Sequence, residues 1–294
     1  MSSRFESTGC NAYVSSEVLS SIETSSQTIE DVGSRYFAGI HPWIPFLCPK
    51  DFQEGLCQFK LSPKADFSIL LLCMALLTGN PLQPCTTSVR HAELYLRAKT
   101  LLTQFRVLQH PSLVLVQAGI FIAIYEYFQW RPDDALASID ACVRMACKAG
   151  FHLQIGDHET SPAWNTWWAL VMFERIFYSE ATVVGLPLIT SLPKEADTLP
   201  RQHGDRGCPS TMQSTTYQFS SAFLEIDCLH RAAQATCLLD KVFEAVRSTA
   251  TIADAMSLLS LDIQLQHLLS TTMEHCHRQR EGHCGAVSIS IRYE

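Results

Sequence analysis

The sequence predicts an all-α fold, an irregular multi-helix bundle of about seven to nine helices built from antiparallel helix pairs. Three observations carry this. Apolar residues recur at spacings of three and four through most of the chain. Helix-starting and helix-stopping residues bracket those stretches. No alternating strand pattern of consequence appears; Val287 to Ile291 reads equally well as a short strand or a truncated helix.

Residues 1–33 are rich in Ser and Thr and read as a disordered leader with at most one short helix. From Tyr36 the texture changes. His41-Pro42-Trp43-Ile44-Pro45-Phe46 places prolines among large apolar residues, so it reads as an extended, anchored segment. Ser62-Pro63 gives an N-cap and a proline at the first helical position, opening a helix through Leu77 that Gly79-Asn80-Pro81 stops. Val89 to Val107 follows, with Leu94, Ala98, Leu101, Leu102 and Phe105 on one face. Pro111 precedes a third helix, Leu113 to Trp130.

Pro132 and Asp133 start a fourth helix, in which Leu136, Ile139, Val143 and Ala146 keep one face apolar. Lys148 near its end suits the helix dipole, and Gly150 stands where a left-handed residue is expected. The short break at Arg131-Pro132 makes the third and fourth helices an antiparallel hairpin. Ser161-Pro162 opens a helix from Trp164 towards Val184, closed by Gly185 and Pro187. Residues 187–221, rich in Pro, Gly and Ser, read as a long surface loop. Helical patterns resume over about 222–247 and 252–276.

The 294 residues are 47% hydrophobic and 17% charged, which indicates a packed core. Lys+Arg number 22 against 29 Asp+Glu, a net charge of −7 with no run of five basic residues. That balance argues against direct contact with nucleic acid. Twelve cysteines are scattered, several in apolar helical stretches, where they read as small buried hydrophobes in a reducing intracellular compartment. The longest apolar run, Leu113 to Tyr125, is shorter than the roughly 18–20 residues that cross a bilayer, so no membrane span is expected.

A search for chemistry returns no catalytic, cofactor-binding or metal-binding assignment. A terpene-type synthase needs clustered carboxylates for magnesium. Asp133-Asp134 is an adjacent acid pair at a helix start, with Asp140 two turns on, and N-capping explains it better. His275, Cys276, His277, His283 and Cys284 are zinc-ligand types at a spacing that fits no common site. Cys142 and Cys147 lie about 140° apart around a helix and read as packing. The phosphate-cradling glycine motifs and the Gly-x-Ser-x-Gly elbow are absent. Trp164, Trp167 and Trp168 read as a core stripe, with a ring-lined ligand pocket as the alternative. Glu174 and Arg175, in the same apolar helix, read as a structural ion pair with a neighbouring helix.

Several local patterns together resemble the fungal-specific transcription factor domain, the helical regulatory region of fungal zinc-cluster transcription factors. Tyr36-Phe37, His41-Pro42-Trp43-Ile44-Pro45 and Phe52 look like its opening segment. Arg144 to His152, with Ala146, Gly150 and Phe151, is similar to a second stretch. Trp167-Trp168-Ala169-Leu170, Phe173-Glu174-Arg175, Ser179 and Gly185-Leu186-Pro187 look like a third, and Cys284-Gly285-Ala286-Val287 with Ile291-Arg292 like a later one. The resemblance covers about 34–294 and depends on the order of the motifs more than on any one.

The resemblance implies a nuclear transcription regulator, not an enzyme, controlling a fungal secondary-metabolite gene cluster. Two departures shape the expected mechanism. The family's six-cysteine zinc-binding DNA reader has no counterpart, since the first 60 residues hold only Cys10, Cys48 and Cys57. Family members generally continue past the point matching Glu294, so truncation is expected. Contact with DNA is then indirect, through a full-length zinc-cluster regulator or the transcription machinery, as a homo- or heterodimer. The alternative is an all-α enzyme or small-molecule-binding protein with no recognisable catalytic motif. An apolar pocket with paired carboxylates or a metal would favour that alternative.

Overall fold

The computed structural model describes residues 2–25, 27–43, 45–79, 86–108, 110–153, 161–182, 187–192, 222–247 and 259–270. Among these residues there is no strand, and the all-α bundle expected from the sequence is the fold found. The helices are α1 (Ser2–Thr24), α2 (Ile29–Gly39), α3 (Pro49–Leu61), α4 (Ala65–Thr78), α5 (Thr86–Leu108), α6 (Leu113–Phe128), α7 (Pro132–Lys148), α8 (Pro162–Glu180) and α9 (Ala222–Arg247). A short 3-10 turn, Phe151–Leu153, follows α7. A last helical stretch, α10, covers 259–270.

Three helices form the centre. On α4, Ala65 and Phe67 to Leu76 are buried; on α6, Leu115 to Ile124 are; on α8, Ala163 to Arg175 are. Such helices carry no polar face, so other helices must cover them on every side. α1, α2 and α5 pack on α4, while α6 and α7 pack together and α7 lies on α8. No single helix among the described residues is long and apolar enough to cross a membrane.

The α6–α7 pair is antiparallel, joined by Gln129, Trp130 and Arg131. Two contacts fix the direction. Ser138 on α7 donates to Glu126 on α6, and Cys142, one turn later, sits against Gly119, two turns earlier. Gly119 has a packing reason: a Cβ there would run into the Cys142 sulfur. Proline and glycine stand at several helix ends as the sequence indicates, and Ser112, not singled out there, adds a side-chain cap. Ser112 accepts from the Leu115 amide at 3.2 Å, Pro132 and Pro162 occupy first turns, and Gly150 has φ of 79°.

Four expectations are corrected. The leader expected over 1–33 is instead α1 and the first part of α2. Val14, Val18 and Ile22, four residues apart, bury one stripe of α1 against α4, and Ser15 and Ser68 hydroxyls meet at 2.8 Å. α2 starts from a reciprocal capping box between Thr28 and Asp31. α3 was not foreseen. Its presence makes Ser62 the end of α3 rather than a start, and α4 begins two residues after Pro63.

Fourth, Asp133 and Asp134 do not cap their own helix through side-chain bonds. They stand in its first turn, where the dipole favours acids. Asp133 accepts from the Thr182 amide (2.8 Å) and hydroxyl (2.6 Å), tying the end of α8 to the start of α7; Asp134 pairs with Arg131 at 2.6 Å. The segment after Gly39 is irregular and anchored by buried His41, Phe46 and Leu47, as its prolines require. Several sequence readings lie outside the described residues: the helix stop at Asn80-Pro81, Gly185, loop residues 193–221, and everything from 271, including His275, Cys276, His277, His283, Cys284 and Val287 to Ile291.

Candidate functional site

Most of the described aromatic residues of the three ordered motifs pack in the core rather than around a cleft. Tyr36 and Phe37 on α2 pack edge-on around His41, and Tyr36 meets Phe121 of α6 at a centroid distance of 5.1 Å. Phe37 packs on Phe52 of α3 at 5.3 Å. From the second motif, Phe151 is buried and His152 lies 5.7 Å from the Trp167 ring. Trp164 and Trp168 cross at 90°, both buried. The tryptophans are therefore core packing, and they hold the start of α8 against the α7 terminus.

The most elaborate polar arrangement is built on Glu174 and Arg175, each 1% exposed. Charges that deep need close partners. Glu174 accepts from the Ile189 and Thr190 amides and from the Thr190 hydroxyl. Arg175 donates through Nε to Asp240 of α9 at 2.8 Å, and through Nη1 to the Thr190 hydroxyl at 2.7 Å and the Val171 carbonyl at 3.1 Å. Glu174 and Arg175 themselves are 3.6 Å apart. The ion pair with a neighbouring helix expected from the sequence is thus Arg175–Asp240. Sequence reasoning missed Thr190, 15 residues away, whose amide and hydroxyl complete both side chains.

These groups fasten segment 187–192 and α9 onto α8. Both carboxylate oxygens of Glu174 are occupied by donors from Ile189 and Thr190. Asp140 on α7 senses it: burial, then the charge of Glu174, holds the Asp140 carboxyl up at about 6.

A second cluster joins α5, α6 and α7. Glu126, fully buried, accepts from the Tyr95 hydroxyl at 2.6 Å and from Ser138 and Lys99. Burial first, then that carboxylate, raises the Tyr95 phenol above its ordinary range. The thiols point the same way. Burial pushes Cys142 up to about 12 and raises Cys73, Cys147, Cys237 and Cys48, so these cysteines stay protonated. Among the described residues no three His, Cys, Asp or Glu side chains converge on a metal-sized site. A cleft between α1 and α5, lined by Ser21, Thr24, Arg90, Glu93 and Arg97, has a volume of about 80 Å³. That is far below the several hundred Å³ of a small-molecule site.

No curated protein and no solved structure matches the chain. The family model described as the fungal specific transcription factor domain matches residues 34–182, from the middle of α2 to Thr182, two residues past α8, which Asp133 holds. The first three motifs fall within or across that span, and their aromatic residues, with Glu174 and Arg175, form its core and its link to α9. The chain belongs to the fungal specific transcription factor domain family, whose members are fungal transcription regulators.

Proposed function

We propose that this chain controls one metabolic gene cluster of a filamentous fungus from the nucleus, acting through protein contacts. The observation that carries the reading is the family match over 34–182, which runs from the middle of α2 to just past α8. The regulatory unit extends past the match through α9 and α10: Arg175 is bonded to Asp240, and Met172 of α8 packs with Leu229, Ala232 and Leu268. A net charge of −7 supports indirect contact with DNA, because phosphate contacts need a surplus of cations. The partner is a full-length zinc-cluster regulator or a component of the transcription machinery, engaged as a heterodimer or alongside a homodimer.

The experiment is deletion of the gene with transcripts read across its genomic neighbourhood, together with imaging of a tagged protein. Coordinated change in a contiguous set of neighbouring biosynthetic transcripts and a nuclear signal are expected. Unchanged neighbours and a cytosolic signal would remove the reading and leave the enzyme alternative.

A further inference from the structure

The cleft between α1 and α5, too small for most ligands, sets hydroxyls opposite cations. Its α1 side carries Ser20, Ser21, Thr24 and Ser25, and its α5 side Arg90 and Arg97. Three of the hydroxyls are engaged. Ser21 donates to the Glu17 carbonyl at 2.7 Å and accepts from Arg97 at 3.2 Å. Thr24 donates to the Ser20 carbonyl at 2.7 Å, and Ser25 to the Ile22 carbonyl at 2.6 Å. The Ser20 hydroxyl, exposed one turn before the end of α1, has no hydrogen bond to a described residue. Across the cleft, exposed Arg90 has no ion pair with a described residue. Arg97 is shared between Glu17 at 3.4 Å and Glu93 at 3.2 Å, in exposed pairs that hold weakly.

We propose that Ser20 is a phosphorylation site and that its phosphate bonds Arg90 and Arg97, clamping α1 to α5. The Ser20 oxygen attacks the γ-phosphorus of ATP held by a protein kinase. The bond to the β-phosphate breaks, ADP leaves with that electron pair, and the hydroxyl proton passes to the kinase's base. Glu17 and Glu23 lie three residues to either side of Ser20, so the enzyme is one with a basic substrate groove. The cleft, about 80 Å³, has the space of roughly two to three waters at about 30 Å³ each, which is room for a phosphoryl group. A phosphate brings a charge of about −2 and three acceptor oxygens, so it takes Arg97 from the two carboxylates and engages Arg90 as well. Unmodified, α1 is held to α4 by its apolar stripe and to α5 by the Arg97 side chain. The phosphate makes that second attachment firm.

The test uses two preparations of the full chain. One is isolated from the host fungus for phosphopeptide mapping. The other is recombinant, with and without phosphoserine incorporated in place of Ser20, for hydrogen exchange. Expected is phosphate on Ser20 and not on Ser21, Thr24 or Ser25, and amide exchange across α1 slowed about fivefold by it. High salt should shrink the slowing, because exposed charges are screened. Arg90→Gln, at an exposed position, should leave exchange in the unmodified chain as it was and remove most of the slowing in the phosphorylated one. None of these outcomes bears on the regulatory reading, which stands or falls on transcripts. A chain from the fungus without phosphate on Ser20 overturns the site. Exchange that is unchanged or faster in the phosphorylated chain, as repulsion from Glu17 and Glu23 alone would give, overturns the clamp, and so does slowing that survives Arg90→Gln.

Discussion

Arg175 of α8 donates through Nε to Asp240 of α9 at 2.8 Å while its guanidinium lies 1% exposed, so a helix inside the matched region is fastened to one beyond it. Replacing Arg175 by Met strands the Glu174 carboxylate, also 1% exposed, and removes the partner of Asp240. Arg175→Met is expected to cost about 3–5 kcal/mol in urea unfolding. Thr190→Val, which removes only the shared hydroxyl, is expected to cost about 1–3 kcal/mol. Equal effects from the two variants would show that the guanidinium is not the centre of the cluster.

Trp168 is 1% exposed and crosses Trp164 at 90°. Trp168→Ala is expected to cost about 3–5 kcal/mol, because the surrounding core cannot collapse into so large a void. A variant melting with the wild type would contradict the buried placement of α8.

Gly119 and Cys142 test the α6–α7 contact. A Cβ at 119 has no room beside the Cys142 sulfur, so Gly119→Ala is expected to destabilise by about 1–3 kcal/mol. In a Cys142→Ala background the same change should become neutral or favourable, since alanine then contributes its helix propensity of about 1 kcal/mol. The double-mutant cycle measures this coupling directly; additive effects would place the two helices further apart.

Asp140 makes stability depend on pH. Its carboxyl ordinarily ionises near 3.8 and in the folded protein at about 6, raised by burial and then by Glu174. The ionised form is disfavoured only in the native state. The stabilising contribution is therefore complete below the unfolded value and is lost as pH rises through the folded one. Asp140→Asn is expected to add on the order of 1 kcal/mol at neutral pH, after discounting for the half-exposed position, and nothing at acid pH. Thermal melts at both pH values check it; a gain at acid pH alone would reverse the sign.

The helices most legible in the sequence were those with punctuation at both ends. α6 to α8 carry Ser112, Pro132, Gly150 and Pro162 at their boundaries, and the apolar spacing between them leaves little choice. α1 was hidden because its stripe is only Val14, Val18 and Ile22 among serines, and it gains its stability from α4 rather than from propensity. Ser62-Pro63 misled because a Ser-Pro pair can follow one helix as readily as start another, and α3 supplied that helix. Glu174 and Arg175 were visible as charges needing partners. Thr190 and Asp240 were not, because contacts across 15 and 65 residues leave no local pattern. Trp130 was equally hidden: the sequence marks left-handed residues through glycine, and here the slot holds the residue least expected in it.

The central claim is that this family domain transmits regulation through protein contacts without touching DNA itself. The most direct measurement fuses the full chain to an unrelated DNA-binding domain in a filamentous fungus and reads transcripts of a reporter carrying the matching site. A several-fold change from the level set by the DNA-binding domain alone is expected. A folded, nuclear fusion that leaves the reporter at the level of the DNA-binding domain alone would contradict it.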